Sequence, residues 1–222
     1  MRRLSLAICM LLASAIFAAA ASDDSITVTW APMESTTRFY DPLAPDPLMP
    51  ATLPDEAGVT VSDFECVATL NGAIVDEVRK ENSTVAVVRV ESADIKLRLT
   101  VGEWISKSAG IKIVHHEDGH RMIAEHFYSD ADVVASAIAR QTIGRNVYGS
   151  GDTAKEAAND ALNIAANHLV NDYMEEVRDR SDEVQQAYDD ITQHGTNTVD
   201  EVDAIEQALR QVAARHAQTR PD

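Results

Sequence analysis

The sequence predicts an α+β fold, an N-terminal antiparallel sheet followed by helices. Three observations carry it: apolar residues alternate with polar ones before Gly110, they recur at helical spacing after it, and no internal repeat interrupts that order. At 222 residues and 45% apolar content the chain suffices for one domain with its own core, without disulfide support.

The elements follow in order. Arg2 and Arg3 precede an apolar run from Leu4 to Phe17, which ends in Ala18 to Ala21. That pattern reads as a signal peptide over 1–21, since the run is too short to be a membrane span. Residues 22–222 then form a single domain, β-rich over 22–110 and helical over 111–222. Ile26, Val28 and Trp30 alternate as a strand does. Residues 41–56 hold five of the seven prolines and read as an extended loop. Phe64, Cys66, Ala68 and Leu70 alternate again and run into Asn71-Gly72, a hairpin-turn pair. Val85 to Val90 is dense in β-branched residues. A further strand, with Ile95, Leu97, Leu99 and Val101 on one face and Lys96 and Arg98 on the other, is joined to it through Glu91-Ser92-Ala93. A first helix covers 111–142, with a break near Ser129-Asp130. Gly144, Gly149 and Gly151 mark a loop. Thr153 with Glu156 forms a capping-box start for a second helix over 154–193, closed by Gly195. Thr198 with Glu201 opens a third helix over 199–217.

Acidic residues outnumber basic ones 36 to 19, a formal charge of −17, which becomes −19 when Arg2 and Arg3 leave with the leader. So negative a chain is a poor partner for nucleic acid or an anionic membrane. Only Cys66 lies outside the leader, so an exported chain has no internal disulfide; its place in an alternating pattern makes it a small core residue. The leader is bacterial in style, and the expected location is periplasmic or secreted.

The chemistry is concentrated in His115-His116-Glu117-Asp118-Gly119-His120, which contains H-E-x-x-H. On a helix, residues i and i+4 lie about 40° apart around the axis and about 6 Å along it. His116 and His120 can therefore converge on one Zn²⁺, while Glu117 on the adjacent strip serves as general base toward water. His115 and His126 point away from that strip, and His168 reads as a lone helical histidine. A zinc hydrolase needs a third protein ligand and an open fourth position. His194, three residues past Ile191, continues the inward stripe of the second helix; its other reading is a C-terminal histidine facing the helix dipole. Glu156-Ala157-Ala158-Asn159-Asp160 resembles the glutamate helix of thermolysin-type enzymes, which implies Glu156 as a zinc ligand and Asp160 as a support to a histidine; its other reading is acidic charge suited to a helix N-terminus. Asn146 in Asn146-Val147-Tyr148-Gly149 places an amide where a ligand would be needed, which discounts it.

The pair H-E-x-G-H-R-x-I-A-E, His116 to Glu125, and Y-D-x-x-T-x-H-G, Tyr188 to Gly195, resembles a family of bacterial domains of unknown function identified as predicted secreted Zn-dependent proteases. The preceding β region with Cys66 and Trp104 is similar too, so the likeness spans about 25–196. The resemblance implies a zincin-like metallopeptidase with His116, His120 and His194 on Zn²⁺ and Glu117 as catalytic base, acting on a peptide or protein substrate. The strand Ile95 to Val101 is expected to lie along the cleft. Tyr188 reads as a core tyrosine or an oxyanion stabiliser, and Glu125 as a solvated residue or a support to a ligand. Two other functions are compatible with the same residues: a zinc-stabilised, non-catalytic envelope binding protein, and a peptidoglycan-peptide amidase.

Overall fold

The structure, a computed structural model, describes residues 25–44, 49–50 and 57–219. The expected leader and most of the proline-rich segment lie outside those residues. The α+β order holds. Strands β1 (Ile26–Trp30), β2 (Glu34–Tyr40), β3 (Gly58–Arg79) and β4 (Thr84–Ser106) precede helices α1 (Ile111–Tyr128) and α2 (Ala131–Thr142). A short strand β5 (Asn146–Gly151) comes next, then α3 (Ala154–Met174), a π-helical turn (Glu175–Asp179), α4 (Arg180–Thr192) and α5 (Glu201–Thr219).

The frame is one long ribbon of β3 and β4, 22 and 23 residues, paired antiparallel from Gly58↔Ile105 to Arg79↔Thr84. The turn therefore falls at Lys80–Ser83, where the Lys80 N–H donates to the Ser83 carbonyl at 2.7 Å. Asn71-Gly72, the expected turn, sits inside β3 opposite a bulge: Asn71 pairs with Ser92 and Gly72 with Val90, leaving Glu91 as an extra residue. The bulge explains why β4 reads as two strands. Its buried side is even-numbered through Ala86, Val88 and Val90, and odd-numbered from Ala93 through Ile105. One extra residue reverses the parity without ending the strand.

The sheet differs from expectation in direction. β4 runs antiparallel to both β3 and β5, but β1 and β2 both run parallel to it, at Ile26↔Ala93 and Glu34↔Thr100. Pro32, which has no N–H to give the ladder, interrupts what would otherwise be one continuous strand. The glycine-marked segment 146–151, expected as a loop, is β5.

The helices cover one face of this sheet. Phe64, Leu97, Leu99 and Val101 meet Ala124, Tyr128, Ala135, Leu169 and Tyr173 in the main core. α4 and α5 form a second cluster with Ile123 through Val184, Tyr188, Ala204 and Ala208. The Thr153–Glu156 capping box is present, with bonds of 3.2 and 3.0 Å. α5 is opened instead by Asp200, whose Oδ1 accepts from Val202 N–H at 3.0 Å, two residues later than the expected Thr198. Among the described residues no helix is long and apolar enough to cross a membrane. Cys66 is buried, and desolvation pushes its thiol up to about 11, so it is no thiolate nucleophile at neutral pH.

Candidate metal centre

α1 leaves β4 at Gly110 and runs along the wall of a cleft of about 690 Å³, facing α4. Its inner strip carries His116 and Glu117, both buried, and His120. His116 Nε2 and His120 Nε2 are 3.1 Å apart. The third member of the group is Asp189 of α4, with Oδ1 3.2 Å from His116 Nε2 and 3.1 Å from His120 Nε2. His116, His120 and Asp189 are the set whose ligand atoms come within 4.8 Å of one another among the described residues.

This set fits a tetrahedral ion. Bonds of about 2.0–2.1 Å to such an ion hold neighbouring ligand atoms about 3.3 Å apart, close to the separations here. Two imidazoles and a carboxylate are also suitable donors for a borderline divalent ion such as Zn²⁺. Burial alone would raise the Asp189 carboxyl, but hydrogen bonds and charge from His116 and His120 hold it well below the usual carboxylate range. Burial disfavours charge on His120, yet the Asp189 hydrogen bond and charge outweigh it and raise the imidazole above its ordinary value.

Glu117 stands beside the group. Its Oε2 accepts from Thr60 Oγ1 at 2.8 Å, which ties α1 to β3 and leaves Oε1 uncommitted to Thr60. Desolvation raises this carboxyl; the charges of His120 and His116 and the Thr60 bond work against that.

His194 is placed differently from the helical reading. α4 ends at Thr192, and Gln193, His194 and Gly195 all have positive φ, at 51°, 53° and 74°. Two successive non-glycine residues in the left-handed region turn the chain off the helix axis. His194 therefore leaves the inward stripe for the cleft rim, 54% exposed, with Nδ1 3.5 Å from Asp189 Oδ1. It is a neighbour of the group through Asp189 rather than a member of it.

The remaining candidates disperse. Glu156 is occupied by its capping box. Asn146 begins β5, paired with Arg89. His115 lies 3.1 Å from Glu201, His126 and His168 are exposed, and Glu125 accepts from Arg121 at 2.9 Å in solvent. Tyr188 is fully buried below the histidines, stacked on His116 with centroids 5.1 Å apart, and does not line the cleft. The segment Ile95 to Val101 is internal to the sheet, flanked by β3 on one side and by β1 and β2 on the other. The strand along the cleft is β3, through Gly58 to Ser62. Sequence reasoning passes over Asp189 although it lies inside the Tyr188–Gly195 motif. The available signal is a polar strip, Gln185, Asp189 and Thr192 at i, i+4 and i+7, beside the apolar stripe of the same helix.

Comparison with protein-family models, curated sequences and solved structures finds no match to this chain.

Proposed function

We propose that the cleft is the active site of a zinc-dependent hydrolase that cleaves peptide bonds, with His116, His120 and Asp189 as the protein ligands. The observation that supports it most directly is the convergence of those three donors, with a buried carboxylate, Glu117, beside them on the wall of an open cleft. Zinc bound there would supply Lewis acidity toward a carbonyl oxygen and toward water. Glu117 does the proton work: Thr60 holds Oε2, so Oε1 takes the proton of the attacking water and passes it to the leaving nitrogen. A carboxyl raised by burial is suited to both halves of that transfer.

β3 supports a peptide as substrate. Among the described residues it pairs only with β4, so its second edge carries unpaired main-chain groups where Gly58 to Ser62 line the cleft. An extended backbone would add there as a further strand.

A structural zinc is the competing reading, and His194 is the residue that favours it, since a ring 3.5 Å from Asp189 could close the fourth position. Zinc stoichiometry of the purified protein beside Asp189→Ala and His194→Ala separates the two. Hydrolytic use requires that Asp189→Ala lose stoichiometric zinc, with affinity falling by more than the roughly 100-fold that outer-shell partners command, while His194→Ala retains it. Excess zinc at about 100 times its Kd should add about 2.7 kcal/mol to the wild type, and nothing to Asp189→Ala. A wild type that stays metal-free after reconstitution defeats the proposal.

A further inference from the structure

The hydrogen bonds behind the two histidines carry information that the ligand set alone does not. Thr192 Oγ1 has one proton, and it donates that proton to the Tyr188 carbonyl at 2.7 Å. Toward His116 Nδ1, 3.3 Å away, Thr192 can then only accept, so this contact is a hydrogen bond when the ring carries a hydrogen on Nδ1. Gln185 is oriented in the same way. Its Nε2 donates to the His120 carbonyl at 3.0 Å, which turns Oε1 toward His120 Nδ1 at 2.5 Å. An amide oxygen accepts only, so this ring also carries its hydrogen on Nδ1. With a hydrogen on Nδ1, each neutral ring keeps its Nε2 lone pair for an ion, and a protonated ring donates from the same Nε2 to Asp189 Oδ1.

We infer that Gln185 and Thr192 are positioning residues that lock His116 and His120 in the Nδ1–H tautomer, so that one face of α4 supplies a ligand and both tautomer locks for the histidines of α1. The inference rests on the reading of His116, His120 and Asp189 as a metal site. The spacing explains how one helix does all three. Residues 185, 189 and 192 fall on a single face, and Asp189 lies between its two neighbours just as the ion would lie between the two rings. Tyr188, on the adjacent strip, adds the apolar backing: its ring stacks on His116 at 10° and meets His120 edge-on at 85°. Fixing a ligand ring by its other nitrogen is worth about 10- to 100-fold in metal affinity.

The test uses the full chain, with Gln185→Leu and Thr192→Val to remove each acceptor, and Gln185→Glu and Thr192→Ser to restore it. Imidazole ¹⁵N shifts of the zinc-loaded protein should show Nδ1–H, with Nε2 on the metal, on both rings of the wild type. In each acceptor-less variant the Nδ1–H of the ring facing the substitution should exchange faster with water, while that of the other ring stays unchanged. Zinc affinity by chelator competition should fall about 10- to 100-fold in Gln185→Leu and in Thr192→Val, and recover in Gln185→Glu and Thr192→Ser. The metal-free melting temperature reports any packing damage separately. Nε2–H on either wild-type ring, or unchanged affinity in both acceptor-less variants, overturns the inference. If the wild type binds no zinc, the metal reading fails by itself, while Nδ1–H exchange of each ring, compared between the wild type and its acceptor-less variant, still decides whether Gln185 and Thr192 hold the rings.

Discussion

Near its turn, the β3–β4 ribbon is closed by β5 and α3 over Ala86 and Val88; at its opposite end α1 and α4 close over the cleft. Both closures depend on a missing side chain. At the turn end it is Gly149, where a Cβ would lie 2.2 Å from Ala161 N and 2.4 Å from Ala157 O, so the helix main chain rests directly on the strand. At the cleft end it is Gly119, where a Cβ would lie 2.2 Å from Tyr188 Oη. The contact at the turn end is main chain on main chain, filled by alanines. The contact at the cleft end makes room for a ring beneath two histidines, in a region that buries His116, Glu117 and Thr192. The same device yields packing in one place and a platform for polar groups in the other, because what approaches the glycine differs.

The largest effect expected is chemical and confined to the cleft end. Glu117→Ala should retain zinc and lose about 10²- to 10⁴-fold in peptide hydrolysis, the range for a positioned acid–base group. Metal analysis alongside a peptide assay checks it, and hydrolysis at the wild-type rate would remove Glu117 from the mechanism. Next come the two glycines, which break the comparison if they behave alike. Gly149→Ala should cost about 1–3 kcal/mol of stability by overpacking against main chain that cannot step aside, with zinc affinity unchanged. Gly119→Ala recovers about 1 kcal/mol of helix propensity, so its stability loss is smaller. It displaces Tyr188, and with it the stacked His116, and zinc affinity should drop by about tenfold or more. Chemical denaturation and chelator competition on the same two proteins read both quantities. The smallest effect is expected at the exposed edge near the turn: Val78, 53% exposed, should tolerate Thr within about 0.5 kcal/mol in the same denaturation experiment.

Much of the site is legible in the sequence. His116, Glu117 and His120 lie within five residues on one helix, so helical geometry alone brings the two rings together and sets the carboxylate beside them. His194 shows where that logic stops. Its expected direction requires that α4 continue to it, and two left-handed residues after Thr192 cancel that requirement. Asp189 is equally visible as a residue and invisible as a partner, because its relation to His120 spans 69 positions and depends on how α4 crosses α1.

Local pattern alone settled the division into strands and then helices apart from β5, the Thr153 cap, the break at Ser129-Asp130 and the pairing of His116 with His120. Each depends on contacts within a few residues, where period and side-chain chemistry suffice. The tertiary structure decided the parallel placement of β1 and β2, the single bulged β4, the position of β3 along the cleft and the entry of Asp189, Gln185 and Thr192 into the site. Alternation has the same period whichever way a strand points, and a helix face has no partner until another helix is laid against it.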